Sequence, residues 1–146
     1  MTIRQARTDD VQVLAHMTGQ LYETDPADLA KEVAALTASS EAACFLAHDG
    51  ETPIGFAQCQ LRRDYVEGTS TSPVGFLEGV WVAPEHRRQG AARQLVEACQ
   101  QWALQAGCSE FASDCEIDNL ASLAFHLSIG FAEAGRTIWF YRRLKP

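Results

Sequence analysis

No stretch of this sequence approaches the roughly 20 consecutive apolar residues of a membrane-spanning helix. The opening residues, MTIRQARTDD, lack the apolar core of a secretory leader. Both absences lead us to expect a cytoplasmic protein. Basic residues are in the minority, 12 Lys and Arg against 19 Asp and Glu, for a formal charge of −7. A nucleic-acid partner favours a basic patch, so this deficit argues against one, while an acidic chain suits a cationic ligand. No Cys-x-x-Cys pair occurs among the five cysteines, Cys44, Cys59, Cys99, Cys108 and Cys115, and their number is odd. They read as reduced, mostly buried thiols, and without paired ligands no metal site is expected. His16, His48 and His86 show no ligand spacing. Internal repeats, low-complexity tracts and interdomain linkers are missing too. What is left is 146 residues, 47% hydrophobic and 21% charged, which suits one domain over 1–146 with its own core.

The patterning alternates between strand and helix. IRQAR (3–7) predicts a short strand, followed by a helix that Thr8 caps and that carries Val11, Leu14, Met17 and Leu21 on one face. Asp25-Pro26 restarts a helix through Leu29, Val33 and Leu36. ACFLAH (43–48) and TPIGFAQCQLR (52–62) flank Asp49-Gly50 and predict an antiparallel hairpin. RDYVEGTSTSPV (63–74) is a polar loop, and GFLEGVWV (75–82) the next strand. A helix from Ala91 to Ala106 puts Leu95, Cys99, Trp102 and Ala106 on one side and ends at Gly107. EFASDCE (110–116) predicts a strand with Asp114 and Glu116 on one face and Cys115 on the other. The strand–helix–strand order without a hairpin predicts a parallel crossover. Asn119 opens a last helix stopped by Gly130. RTIWFYRRL (136–144) alternates and predicts a final strand, with another short one near Phe131. The whole is a mixed α/β fold, a mostly antiparallel sheet with one parallel pair and about four helices.

The stretch from Glu78 to Ala92, EGVWVAPEHRRQGAA, organises the rest. An apolar strand ends at Pro84, and Arg87, Arg88, Gln89 and Gly90 lead into a helix begun by Ala91 and Ala92. The first N–H groups of a helix have no intrahelical acceptor, and its dipole adds partial positive charge. That order builds a cradle for a diphosphate. No Gly-Lys-Ser/Thr follows and no G-x-G-x-x-G is present, which excludes the Walker and dinucleotide loops. Glu78, a carboxylate inside an apolar strand, is costly unless satisfied. It reads either as a group that takes a proton from, or binds, an amine, or as a strand glutamate paired with an arginine. Asp114, on the partner strand, either flanks the same crevice or is solvated. Tyr65, in the polar loop, and Tyr22, after the first helix, either cover a cation or pack on the surface. Asn119 either caps its helix or meets a ligand.

Arg87-x-x-Gly90-x-Ala92 after a strand resembles the acyl-CoA pyrophosphate motif of the GNAT N-acetyltransferases, and the element order resembles that fold over the whole chain. The resemblance implies acetyl-CoA as co-substrate and a parallel strand pair splayed around its pantetheine arm. GNAT proteins commonly have tyrosine four residues before the helix-ending glycine, as acid for the departing thiolate. FHLSIGF (125–131) has His126 there, which acts as that acid or is a packed structural histidine. DYVEGTSTSPVGFLEGVWV (64–82), CSEFASDCEIDN (108–119) and FHLSIGF resemble, more narrowly, the aminoglycoside 6′-N-acetyltransferases. That resemblance implies acetylation of a 6′-amine, with Tyr22, Tyr65, Glu78 and Asp114 at the aminoglycoside. It implies Val80, Trp81, Val82, Arg87 to Ala92 and Asn119 at acetyl-CoA, and a homodimer. A further acidic substrate contact of that branch is replaced by Gly135. No cysteine is placed as an acyl carrier, so direct attack in a ternary complex is expected. The competing readings are the same chemistry on a polyamine or protein N-terminus, and a non-catalytic acyl-CoA sensor.

Overall fold

Asp49 and Gly50 open a two-residue hairpin turn. Gly50 adopts φ +60, and β2 (Ala42–Asp49) returns as β3 (Thr52–Arg62) with Asp49 opposite Thr52. This hairpin is the centre of a five-stranded sheet, β1-β2-β3-β4-β5, in the computed structural model, which describes residues 1–146. β1 (Thr2–Gln5) pairs antiparallel with β2, and β4 (Val74–Val82) antiparallel with β3. β5 (Phe111–Ser113) pairs parallel with β4, after the crossover helix α3 (Ala91–Gln105). The mixed α/β prediction and its single parallel pair hold.

Two units make up the chain, Met1–Asp114 and Cys115–Pro146. In the first, Leu46, Phe56 and Trp81 are register partners across β2, β3 and β4. They meet Leu14 and Met17 of α1 (Val11–Tyr22) and Val33 of α2 (Pro26–Ala38) in one core cluster. Alternation turns Ala57 and Cys59 to the other face, where the Cys59 thiol meets Cys99 of α3. The buried stripe of α3 is Leu95, Val96, Cys99 and Ala103, so the sequence stripe through Trp102 and Ala106 was one position out of phase. Asp25 caps α2 as predicted, accepting from Ala27 N at 3.0 Å with Pro26 behind it. Thr8 does not cap α1: residues 8–10 form a 3-10 turn. Asp10 takes both Arg4 nitrogens at 2.8 Å and the Arg7 N–H at 2.8 Å.

The second unit holds α4 (Leu120–Ser128) and, after it, a segment without helix or strand. The strands predicted near Phe131 and over 136–144 do not form. Alternation selects a face, but a strand exists only where a neighbour completes its ladder, and no pairing reaches these residues. Ile138, Trp139, Phe140 and Tyr141 stand 77 to 90% exposed.

Candidate active site

The site begins with a miscount between two strands. β3 and β4 run in register from Gly55↔Val82 to Gln58↔Gly79 and resume at Cys59↔Leu77. Glu78 therefore faces no residue of β3 and is the extra residue of a β-bulge. A bulge frees a backbone group from the ladder, and here the Tyr22 hydroxyl donates to the Glu78 carbonyl at 3.0 Å. Gly79 makes room for it. A Cβ there would lie 2.8 Å from the Tyr22 hydroxyl and 2.9 Å from Leu21 Cδ2.

The Glu78 side chain is not the isolated carboxylate its apolar strand suggested. It is 21% exposed, and its Oε1 accepts from Gln60 Nε2 at 2.6 Å and from Arg62 Nη2 and Nε at 2.8 and 3.2 Å. The Arg62 guanidinium lies 3.5 Å over the ring centroid of Phe76. None of these bonds uses Oε2. The pairing with an arginine, the plainer of the two sequence readings, is thus made, and it leaves half of the carboxylate open.

Glu78, Tyr22, Gln58 and Glu32 share a cavity of about 340 Å³ whose apolar wall includes Leu29 and Leu36. Burial, then the charges of Glu78, Asp114 and Glu32, push the Tyr22 phenol above its ordinary value of 10.0. Tyr22 therefore stays a hydrogen-bond donor at neutral pH. A second cavity, of about 370 Å³ and lined by Gln12, His16 and Trp81 among others, carries no carboxylate. A polycation is better matched by the first.

Other predicted residues fall into place unevenly. β5 ends at Ser113, so Asp114, Cys115 and Glu116 lie past the strand and the alternation assigned to them does not apply. Asp114 is exposed but close enough to act on Tyr22. Tyr65 is 75% exposed beside Glu67 and does not line the Glu78 cavity. Its loop is pinned by Glu110, which accepts from the Ser70 and Thr71 N–H groups at 2.9 and 2.8 Å. Sequence reading missed Glu32, Gln60, Arg62 and Glu110. A signal for two of them was available: Gln58, Gln60 and Arg62 put a polar row on one face of an otherwise apolar strand.

The cradle has the expected parts. β4 pairs with β5 only over Gly75–Leu77, so the edge from Glu78 to Val82 has no β5 neighbour. Trp81 packs on the core cluster and Val82 is buried, so backbone rather than side chain is what these two offer a ligand. Arg87 Nε donates to the Val82 carbonyl at 2.8 Å, tying the loop to the strand. Arg88 and Gly90 both take positive φ, +64 and +86. No side chain caps α3, which leaves its first N–H groups for an anion. Little surrounds Gly90: the nearest atom to a Cβ would be Gln94 Nε2 at 4.0 Å. Its left-handed backbone angle is one that favours glycine.

In the second unit, Asn119 Oδ1 caps α4 by accepting from Ser122 N at 3.1 Å. His126 Nδ1 lies 2.7 Å from the Ser122 carbonyl, with its ring 5.3 Å from Phe131 and 5.9 Å from Phe125. A carbonyl only accepts, so Nδ1 carries a hydrogen toward it.

A half-opened parallel strand pair beside an uncapped, glycine-led helix start defines an N-acetyltransferase fold that works with an acyl coenzyme. The chain belongs to the acetyltransferase (GNAT) family, whose model matches residues 11–131. Among curated relatives it is 43% identical to an aminoglycoside N(6′)-acetyltransferase type 1 of Stenotrophomonas maltophilia, over 99% of this chain and 95% of that protein. The crystal structure of the aminoglycoside 6′-N-acetyltransferase AAC(6′)-IG from Acinetobacter haemolyticus, in its apo form, superposes with a TM-score of 0.92 at 36% identity, covering 99% of this chain and 100% of that one. AAC(6′)-Iy in complex with the bisubstrate analogue CoA-S-monomethyl-acetylneamine gives 0.91 at 35% identity, covering 98% of each.

Proposed function

We propose that this chain transfers the acetyl group of acetyl-CoA to the 6′-amino group of aminoglycoside antibiotics, by direct attack in a ternary complex, and so confers resistance. The acid-lined cavity at the Glu78 bulge carries the reading, because a multiply charged ammonium ligand needs carboxylates beside an apolar wall. The full-length likeness to aminoglycoside N(6′)-acetyltransferases supports it.

The α3 start, with Arg87, Arg88, Gln89, Gly90, Ala91 and Ala92, would hold the coenzyme's diphosphate. The backbone of Val80, Trp81 and Val82 would pair with its pantetheine arm, and the Asn119 amide N–H, free of the cap, would meet a pantetheine carbonyl. The coenzyme supplies the acyl thioester. Glu78 takes the proton of the substrate ammonium at Oε2, directly or through water, and the freed amine attacks the carbonyl. The C–N bond forms, the C–S bond breaks, the nitrogen gives up its second proton to solvent, and His126 passes a proton to the departing thiolate. Tyr22, Asp114 and Tyr65 hold the sugar ammonium groups and rings.

The proposal takes residues 1–146 as one catalytic domain, since the family match runs across the Asp114–Cys115 division. It includes a homodimer, supported by the exposed row Ile138, Trp139, Phe140 and Tyr141, a surface a lone chain would leave in water. It also includes a cytoplasmic location, consistent with there being no helix long and apolar enough to cross a membrane.

A thiol-release assay with acetyl-CoA tests the reaction. Kanamycin and tobramycin should release CoA, and analogues with a 6′-hydroxyl should not. Turnover of spermidine or peptides in place of aminoglycosides would transfer the reading to another amine class. Coenzyme binding without turnover of any amine would make the chain a sensor. Light scattering that returns a monomer's mass at working concentration would remove the dimer.

A further inference from the structure

Arg62 is too well held for a casual surface partner of Glu78. Its guanidinium rests 3.5 Å above the ring of Phe76, a residue only 3% exposed, so the plane of the cation is fixed by the core. From that plane Nε and Nη2 both point at the same oxygen, Glu78 Oε1, at 3.2 and 2.8 Å, and Gln60 Nε2 reaches it at 2.6 Å. An arginine paired for stability usually bonds both carboxylate oxygens, one to each nitrogen. Here three donors converge on one oxygen and leave the other for a ligand. Because the bulge removes Glu78 from the β3 ladder, its neighbours on β3 rather than its own strand decide where the carboxylate points.

We infer that Arg62 is a positioning residue for acetyl transfer, acting through Glu78: it occupies Oε1 and thereby presents Oε2 to the substrate amine. The inference rests on the proposed role of Glu78 in amine deprotonation. Arg62 gives no affinity of its own, since a cation beside the cavity repels an ammonium ligand. Its removal should therefore lower the rate of the bound complex without weakening amine binding. Misplacing a reacting group by about 1 Å costs roughly a hundredfold in rate.

The test is a double-mutant cycle of Arg62→Ala and Glu78→Gln, read with whichever amine the wild type acetylates. That choice keeps failure of the aminoglycoside reading, visible in the wild type alone, separate from failure of this one. Arg62→Ala should lower kcat roughly tenfold to a hundredfold, leave KM for acetyl-CoA unchanged, and leave KM for the amine unchanged or lower. Arg62→Ala in the Glu78→Gln background should cost nothing further. Added guanidinium at millimolar concentration should restore part of kcat to Arg62→Ala and none to the double variant. Arg62→Lys, a point charge without the planar fork, should fall between Ala and wild type. Three results would overturn the inference: wild-type kcat in Arg62→Ala, additive losses in the cycle, or a rise of both KM values with a lowered Tm and no guanidinium rescue.

Discussion

Replacing Gly79 by alanine tests whether the bulge and Tyr22 form one device. The added Cβ would sit 2.8 Å from the Tyr22 hydroxyl, which must retreat to ordinary contact at 3.4 Å. A retreat of about 0.6 Å stretches its 3.0 Å bond to the Glu78 carbonyl to about 3.6 Å, beyond useful hydrogen-bonding range. Losing one such bond costs about 0.5–1.5 kcal/mol, at the lower end here because Tyr22 is 51% exposed. For a chain of this length about 3 °C of Tm accompanies each kcal/mol, so a fall of about 2 °C is expected. Scanning calorimetry measures it. The functional effect should be selective: KM for the amine substrate rises because Tyr22 and Glu78 share the cavity, and KM for acetyl-CoA does not change. The decisive comparison is Tyr22→Phe in both backgrounds. It should destabilise the wild type by a similar amount and Gly79→Ala by much less, since the hydroxyl's bond is already broken there. Equal effects of Tyr22→Phe in the two backgrounds would refute the coupling.

Three further outcomes are expected. Arg4, then the Arg7 N–H and nearby charges, hold the Asp10 carboxyl at about 2, down from 3.8; the stability this gives is full above about pH 4 and is lost as pH falls through the folded value. Asp10→Asn should therefore lower Tm at neutral pH and flatten its decline between about pH 4 and 2, and an unchanged acid limb would count against the ion pair. Gly90→Ala forces a side chain into the left-handed region at about 1–2 kcal/mol, so Tm should fall and the thermal shift produced by coenzyme A should shrink, with an undiminished shift locating the diphosphate elsewhere. Burial pushes the Cys44 thiol up to about 12, and a hydrogen bond donated to Cys59 together with burial raises Cys99 well above its ordinary range. Incubation with acetyl-CoA alone should leave the protein's mass unchanged, and Cys115→Ser should retain full activity; a 42 Da adduct (about one acetyl group) on any cysteine would contradict direct attack.

What the sequence made legible was whatever depends on neighbours along the chain. The Asp49-Gly50 hairpin, the Asp25-Pro26 helix start, the Asn119 cap and the α3 cradle are local devices, and each stands where its residues put it. The parallel crossover between β4 and β5 followed from the strand–helix–strand order. Glu78 was legible as an anomaly, a charge in an apolar run, but its meaning was not. The bulge that aims it is a relation between two strands, and neither strand alone encodes a register shift. Arg62 and Gln60 became partners of Glu78 only through that shift. Glu32 reaches the cavity from α2, 46 positions away in sequence, and no periodicity connects the two. The reverse failure occurred at 136–144, where a clean alternating pattern had no neighbouring strand to complete it. The strand over 110–116 was cut short at Ser113, where its pairing with β4 ends at Leu77 although β4 itself continues to Val82.

The surplus residue in β4 constrains how this protein can vary. Phe76 and Glu78 on one side of the offset, and Gly79 and Trp81 on the other, share a face only because two consecutive residues break the alternation. Deleting any one position from 77 to 80 would restore a regular ladder with Trp81 still opposite Phe56, and would abolish the offset that frees Glu78 from the β3 register. A deletion in this strand thus spares the core and costs the site. New substrate preferences at the cavity must arise by exchange of side chains on β3, α1 and α2, with the count of residues in β4 held fixed.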